Sequence, residues 1–303
     1  MNDQAERLRE MASSHRQRDY SGKPRRTRVM AISSGKGGVG KSTIAVNMSL
    51  ILGQCQKKVL LMDADMGLAN IDIMLGIMPD YTIQHVVQGR KRVKDIIIEG
   101  PGGLRIIPGG SGINELANLN DNELNRLIQE LSRLDGEYDY LIIDTGAGIS
   151  RNVVSFLLAA DDVIIVTTAE PTALTDAYGL VKTIIRQSYA GKIYLIVNKV
   201  ADNAEGILIA EKIKIACAKF LDTELITLGN VVDEPAVREG IMRQKAFTQV
   251  FPTSTATRNI LSIAERLTSG LEGQQAAAES STGIKNFLIK LSRVFKDNNA
   301  GVG

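Results

Sequence analysis

Two lysines, a serine and three aspartates carry the chemistry that is legible in this sequence. Gly35-Lys-Gly-Gly-Val-Gly-Lys-Ser-Thr43 sets Gly35 four residues ahead of Gly40, Lys41 and Ser42. That is the spacing of a loop whose backbone amides wrap phosphate oxygens at the start of a helix. Gly37, Gly38 and Val39 complete the turn, and Thr43 lies in the first helical turn. Lys41 is placed to reach the β- and γ-phosphates of a nucleotide, and the Ser42 hydroxyl to take a Mg²⁺ position. A second lysine, Lys36, follows the first glycine, where the general pattern asks for nothing.

Carboxylates at two strand ends fit the same chemistry. Asp63-Ala-Asp65 closes one apolar run, and Leu141-Ile-Ile-Asp144-Thr-Gly-Ala-Gly closes another. An acid at such an end can hold Mg²⁺ or orient a water for in-line attack on the γ-phosphate, and flanking glycines permit a switch segment to move. An Asp can equally serve as a helix N-cap. Asn198 ends a later run with an amide suited to a purine edge. Asp233 and Glu234, in Val231-Val-Asp-Glu-Pro-Ala-Val-Arg238, follow the last run and are expected to close over the base.

These residues need a sheet whose carboxyl ends converge. Apolar runs at Val29–Ser33, Val59–Asp63, Leu104–Pro108, Tyr138–Thr145, Val163–Thr168, Ile193–Asn198 and Ile226–Val231 read as strands, several of them apolar throughout. Strands covered on both faces look like this. Helical patterns at 121–134, 150–159, 172–187, 204–221 and 255–270 alternate with them. The rhythm predicts an α/β fold, a doubly wound and mostly parallel sheet with helices on both faces.

Bulk properties remove other classes. The 303 residues suffice for one large core, and a net charge of +2 gives no whole-protein field for nucleic acid, which is therefore an unexpected partner. The two cysteines, Cys55 and Cys217, suit neither a disulfide framework nor a metal cluster and fit a reducing cytoplasm. The first residues hold no signal-like apolar stretch, and no run approaches the ~20 apolar residues of a membrane span.

Lys36 within Gly-Lys-Gly-Gly-Val-Gly-Lys resembles the deviant phosphate loop of the MinD/ParA ATPases. Asp63-Ala-Asp-Met-Gly-Leu-Ala-Asn-Ile-Asp resembles their first switch, and Asp144-Thr-Gly-Ala-Gly their second. The resemblance spans roughly residues 28 to 270. It implies ATP and Mg²⁺ as cofactors and an ATP-bound homodimer in which Lys36 acts on the partner's nucleotide while Lys41 acts on its own. It also implies a water-positioning role for Asp65, metal and switch roles for Ser42, Asp63 and Asp144, and adenine contact by Asn198.

The two ends refine the expectation. Residues 1–27 form a polar segment, 28–271 the ATPase domain, 272–283 a linker, and 284–303 a terminal helix and tail. Helical spacing puts Ile284, Phe287, Leu288, Leu291 and Phe295 on one stripe, with Lys285, Lys290, Arg293 and Lys296 at its sides. The stripe suits anionic lipid or a seat on the domain's own core, and its terminal place favours the membrane. It resembles the targeting helix of MinD and implies a peripheral site at the inner face of the cell membrane. Asp3, Gln4, Ala5, Leu8 and Arg9 match an element of the FlhG (FleN/YlxH) family, flagellar relatives of MinD. That match implies stimulation of the GTPase FlhF, contact with flagellar C-ring proteins and control of flagellar number or placement. A division-site role of MinD type and a DNA-partition role of ParA type stay as alternatives.

Overall fold

The computed structural model describes residues 26–65, 70–110, 119–272 and 282–300. The proposed FlhF-activating residues Asp3 to Arg9 and residues 273–281 of the 272–283 linker lie outside them.

An eight-stranded sheet in the order β3-β4-β2-β5-β1-β6-β7-β8 forms the frame. Its strands are β1 (Arg28–Ser34), β2 (Val59–Ala64), β3 (Ile98–Glu99), β4 (Arg105–Ile107), β5 (Tyr140–Ala147), β6 (Asp162–Thr167), β7 (Lys192–Val200) and β8 (Ile226–Val232). Every pairing is parallel except the short β3–β4 edge. All seven expected strands form. The two-residue β3 is too short to leave a periodic signal, as are the helical turns at Asn70–Leu75, Ile83–Val87, Val93–Ile96 and Phe247–Val250.

Alternation along the strands builds the layers. Met30, Ile32, Leu61 and Ile142 face one side, against α1 (Lys41–Gln54) and a long helix near the C-terminus. Val29, Leu60, Leu141 and Ile143 face the other side, against α2 (Asp121–Ser132) and α3 (Arg151–Ala159). Ala31, Val163, Ile165 and Leu195 continue that face under α4 (Pro171–Arg186) and α5 (Asn203–Leu221). The remaining helices are α6 (Pro235–Met242), α7 (Thr255–Glu272), which is the long helix beside α1, and α8 (Ile284–Ala300).

The stripe of the last helix lies on the domain's own core, one of the two seats its spacing allows. Ile284, Phe287, Leu288, Leu291 and Phe295 are between 0 and 7 % exposed, packed with Leu127 and Leu131 of α2 and Phe156 of α3. Phe156 lies 6.2 Å from Phe287 and 6.4 Å from Phe295, ring centroid to centroid. Burying a large apolar side chain contributes about 1.5–3 kcal/mol. The stripe therefore gains by seating on the apolar face that α2 and α3 present. Spacing alone does not distinguish a lipid surface from such a seat.

Candidate nucleotide site

β1 ends between β5 and β6, and the chain turns there into residues 35–40 and then α1. This is the switch point of the sheet, where ligands of doubly wound folds bind. The helix starts at Lys41 with no acidic residue in its first turn and no side-chain cap, so its amides remain available to an anion. Two glycines are required by shape. A Cβ on Gly35 would lie 2.2 Å from the backbone of Asp176 in α4. Gly40 has φ +89° and would meet the Asn198 amide at 2.3 Å.

The strand-end acids meet as the sequence predicts. Asp63 and Asp144 are register partners on β2 and β5, and both are fully buried. Asp63 spends its two oxygens on the amides of Asp65 (3.0 Å) and Ile71 (3.2 Å), fixing the chain that leaves β2. Burial and the neighbouring Asp144 charge push the Asp63 carboxyl up to about 7. Its place among direct metal ligands is thus weaker than expected, because both oxygens already hold backbone. Burial also raises Asp144, against the pull of Lys41 and a Ser42 hydrogen bond.

Lys41 Nζ donates to Asp144 Oδ1 at 2.7 Å, so the loop lysine lies on the β5 aspartate. Asp144 Oδ2 is buried without a hydrogen-bond partner. A hard cation suits that oxygen, and the Ser42 hydroxyl is the natural second donor. Among the described residues no group of three or more His, Cys, Asp or Glu is placed to hold a metal. Mg²⁺ typically takes one or two protein oxygens and completes its shell with phosphate and water, so the residues fit it. Asp65 lies at the mouth, its Oδ2 accepting from Asn70 at 2.9 Å and its Oδ1 facing Gly146.

Other contacts were not foreseen. Lys36 Nζ lies 2.8 Å from Glu170 Oε2 and 3.0 Å from Thr172 Oγ1, at the start of α4. Lys36 holds the Glu170 carboxyl below its usual range. Glu170 follows β6 and precedes Pro171, so its place at a strand's carboxyl end was the signal that could have found it. Asn198 Nδ2 donates to the Val39 carbonyl at 2.8 Å, and Lys199 Nζ to Gly38 at 2.8 Å. Both brace the phosphate loop, and Asn198 commits one N–H of its amide to it. Glu234 Oε2 accepts from the Ala256 amide in α7 at 2.9 Å. Asp233 donates its backbone N–H to Val200 at 2.8 Å.

Comparison with known proteins agrees with this geometry. A family model described as an AAA domain, AAA_31, matches residues 27–193. The antiactivator FleN of Pseudomonas aeruginosa is 37 % identical over 241 residues, 80 % of this chain and 86 % of FleN. The flagellum site-determining protein YlxH of Helicobacter pylori is 35 % identical over 293 residues, 96 % of this chain and 98 % of YlxH. Among solved structures, MinD with Mg-ADP from Pyrococcus horikoshii matches with TM-score 0.66 and 26 % identity over 82 % of this chain and 99 % of that one. MinD in the MinC:MinD complex of Aquifex aeolicus gives 0.65 and 27 %, over 80 % and 96 %.

Proposed function

This chain belongs to the ParA/MinD-type family of P-loop ATPases, and from that premise we propose an ATP-timed switch that sets the number or placement of flagella. It is an ATPase, converting ATP and water to ADP and phosphate. The flagellar reading is supported by a match that runs nearly end to end with YlxH. The match to the septum site-determining protein MinD of Thermotoga maritima extends over 56 % of this chain and 64 % of that one.

In this reading the loop amides and Lys41 bind the phosphates, and Ser42 and Asp144 hold Mg²⁺. The ion, when bound, neutralises charge on the β- and γ-oxygens. Lys41 leaves Asp144 for phosphate, and Asp65 orients the attacking water. Lys36 leaves Glu170 and completes the site of a second copy, which ties hydrolysis to dimerisation as an arginine finger does elsewhere. The observation that carries this reading is the partly exposed Lys36 ammonium at the rim, held by the surface residues Glu170 and Thr172 at the start of α4.

The finer roles follow from location. α8 leaves its seat in the ATP dimer and lays its apolar stripe on anionic lipid, two helices binding together where one binds weakly. Residues 3–9 stimulate FlhF, and flagellar C-ring proteins are further partners. The deciding experiment adds a peptide of residues 1–20 to purified FlhF and follows GTP hydrolysis. Stimulation that requires Gln4 supports the flagellar role, and its absence favours a division-site role of MinD type.

A further inference from the structure

We propose that Asp135 and Asp161 form a clasp joining the entry to β1, Arg26 to Val29, to the start of α8, so that these two segments open in one event. Each carboxylate shares one oxygen between the two segments. Asp135 Oδ1 accepts from the Thr27 amide at 3.1 Å and from the Ile284 amide at 3.3 Å. Asp161 Oδ2 accepts from the Val29 amide at 2.9 Å and from the Gly283 amide at 3.5 Å. Arg26 adds a third link, donating to the Thr282 carbonyl at 3.1 Å.

The junction is built for this contact. Gly283 has φ +113°, and a Cβ there would lie 2.7 Å from Asp135 Oδ2, so only glycine lets the chain pass so close. Ile284 opens α8, and its amide is one of those that no earlier turn of helix can satisfy. Two carboxylates at that end also oppose the positive pole of the helix. Thr27 is fully buried, with its hydroxyl donating to the Tyr138 carbonyl at 2.9 Å and accepting from the Gly136 amide at 2.9 Å.

Lifting α8 takes two amides off the carboxylates and removes the acceptor of Arg26. Water then reaches the Thr27–Asp135 bond. Pulling Arg26 and Thr27 away loosens the start of α8 by the same free energy, because coupling between two sites is reciprocal. The proposal rests on the reading that α8 leaves its seat. It adds that exposure of the lipid stripe and opening of the Arg26–Thr27 entry to β1 are one transition.

Hydrogen exchange on the full chain, without lipid or partner, tests it through the amides of Thr27 and of residues 284–295. Gly283→Ala drives a Cβ against the Asp135 carboxylate, which both segments share, and should speed exchange of both sets by roughly ten-fold, the worth of one or two hydrogen bonds. Phe295→Ala, at the far end of α8, should do the same. Asp135→Asn keeps an acceptor oxygen and should retain wild-type protection, whereas Asp135→Ala should lose it at both ends. A Thr27 amide that stays protected while the α8 amides accelerate overturns the proposal. So does unchanged α8 protection in Gly283→Ala, for the clasp would then hold nothing. If Asp135→Ala fails to fold, the other two variants decide. Liposome sedimentation of the same variants tests the membrane reading separately, since α8 can open with Thr27 and still not bind lipid.

Discussion

Lys41 and Asp144 form a buried ion pair, Nζ to Oδ1 at 2.7 Å, with the lysine side chain 7 % exposed and the aspartate 0 %. Each charge is tolerable there because of the other. Lys41→Ala should abolish ATP binding and also destabilise the protein, by about 3 kcal/mol at neutral pH, since it leaves Asp144 buried without its counter-charge. Thermal melts with and without Mg-ATP check both halves. A variant that melts like wild type would show that the pair contributes nothing to the fold.

Lys36 and Glu170 are the surface counterpart, with side chains 41 % and 64 % exposed. Exposed pairs contribute little to stability, about 1 kcal/mol at most. Lys36→Ala should therefore melt like wild type and still bind ATP, yet remain monomeric with a non-hydrolysable ATP analogue. Light scattering after size exclusion reads the outcome, and a persisting dimer excludes a trans role for Lys36.

Much of this site was legible because its chemistry is local. The phosphate loop is nine consecutive residues, and Asp63 and Asp144 each close an apolar run on neighbouring strands, so the doubly wound sheet brings them side by side. What stayed hidden depends on contacts between distant segments. Nothing near Lys36 announces Glu170, 134 positions away. Asn198 offered an amide at the right edge of the sheet, but only the fold shows one of its N–H groups bracing the Val39 carbonyl. The α8 stripe was read correctly as a stripe. Its neighbour could not be read, because periodicity says which residues share a face and not what covers that face.

Asp65 sits at the rim with its backbone fixed by Asp63 and one oxygen on Asn70. Asp65→Ala should bind ATP and dimerise but release phosphate at least about 100-fold more slowly, the usual loss when a positioned proton acceptor goes. A phosphate-release assay beside light scattering tests this. Normal turnover would contradict the water-positioning role.

Asp161 gives a pH signature away from the nucleotide. Burial pushes its carboxyl up to about 6, against the Val29 amide and the nearby Lys290. An unfolded Asp titrates near ~4. Because the folded value is the higher one, the stability this group contributes is present below about 4 and is lost as pH rises to about 6. Asp161→Asn removes that loss. Its melting temperature relative to wild type should rise between pH 4 and 6 and level off above, as scanning fluorimetry across that range would show. A constant difference across the range would mean that Asp161 does not titrate there.

Deleting residues 284–303 separates a tethered lipid anchor from a core helix. A tail that only awaits the membrane can be removed without changing the melting temperature. Here the cut takes away Ile284, Phe287, Leu288, Leu291 and Phe295 and uncovers Leu127, Leu131 and Phe156. Losing five buried apolar side chains at about 1.5–3 kcal/mol each, offset by the entropy of ordering the helix, leaves a net loss on the order of several kcal/mol. The truncated protein should therefore melt roughly 5 °C or more below wild type. It should keep the phosphate loop and bind Mg-ATP, because the deleted stripe packs on α2 and α3, away from residues 35–43. It should fail to sediment with anionic liposomes in either nucleotide state, whereas the full chain sediments only with ATP. An unchanged melting temperature would mean that α8 holds its seat too weakly to mask the stripe, and release of the helix could not then be what ATP controls.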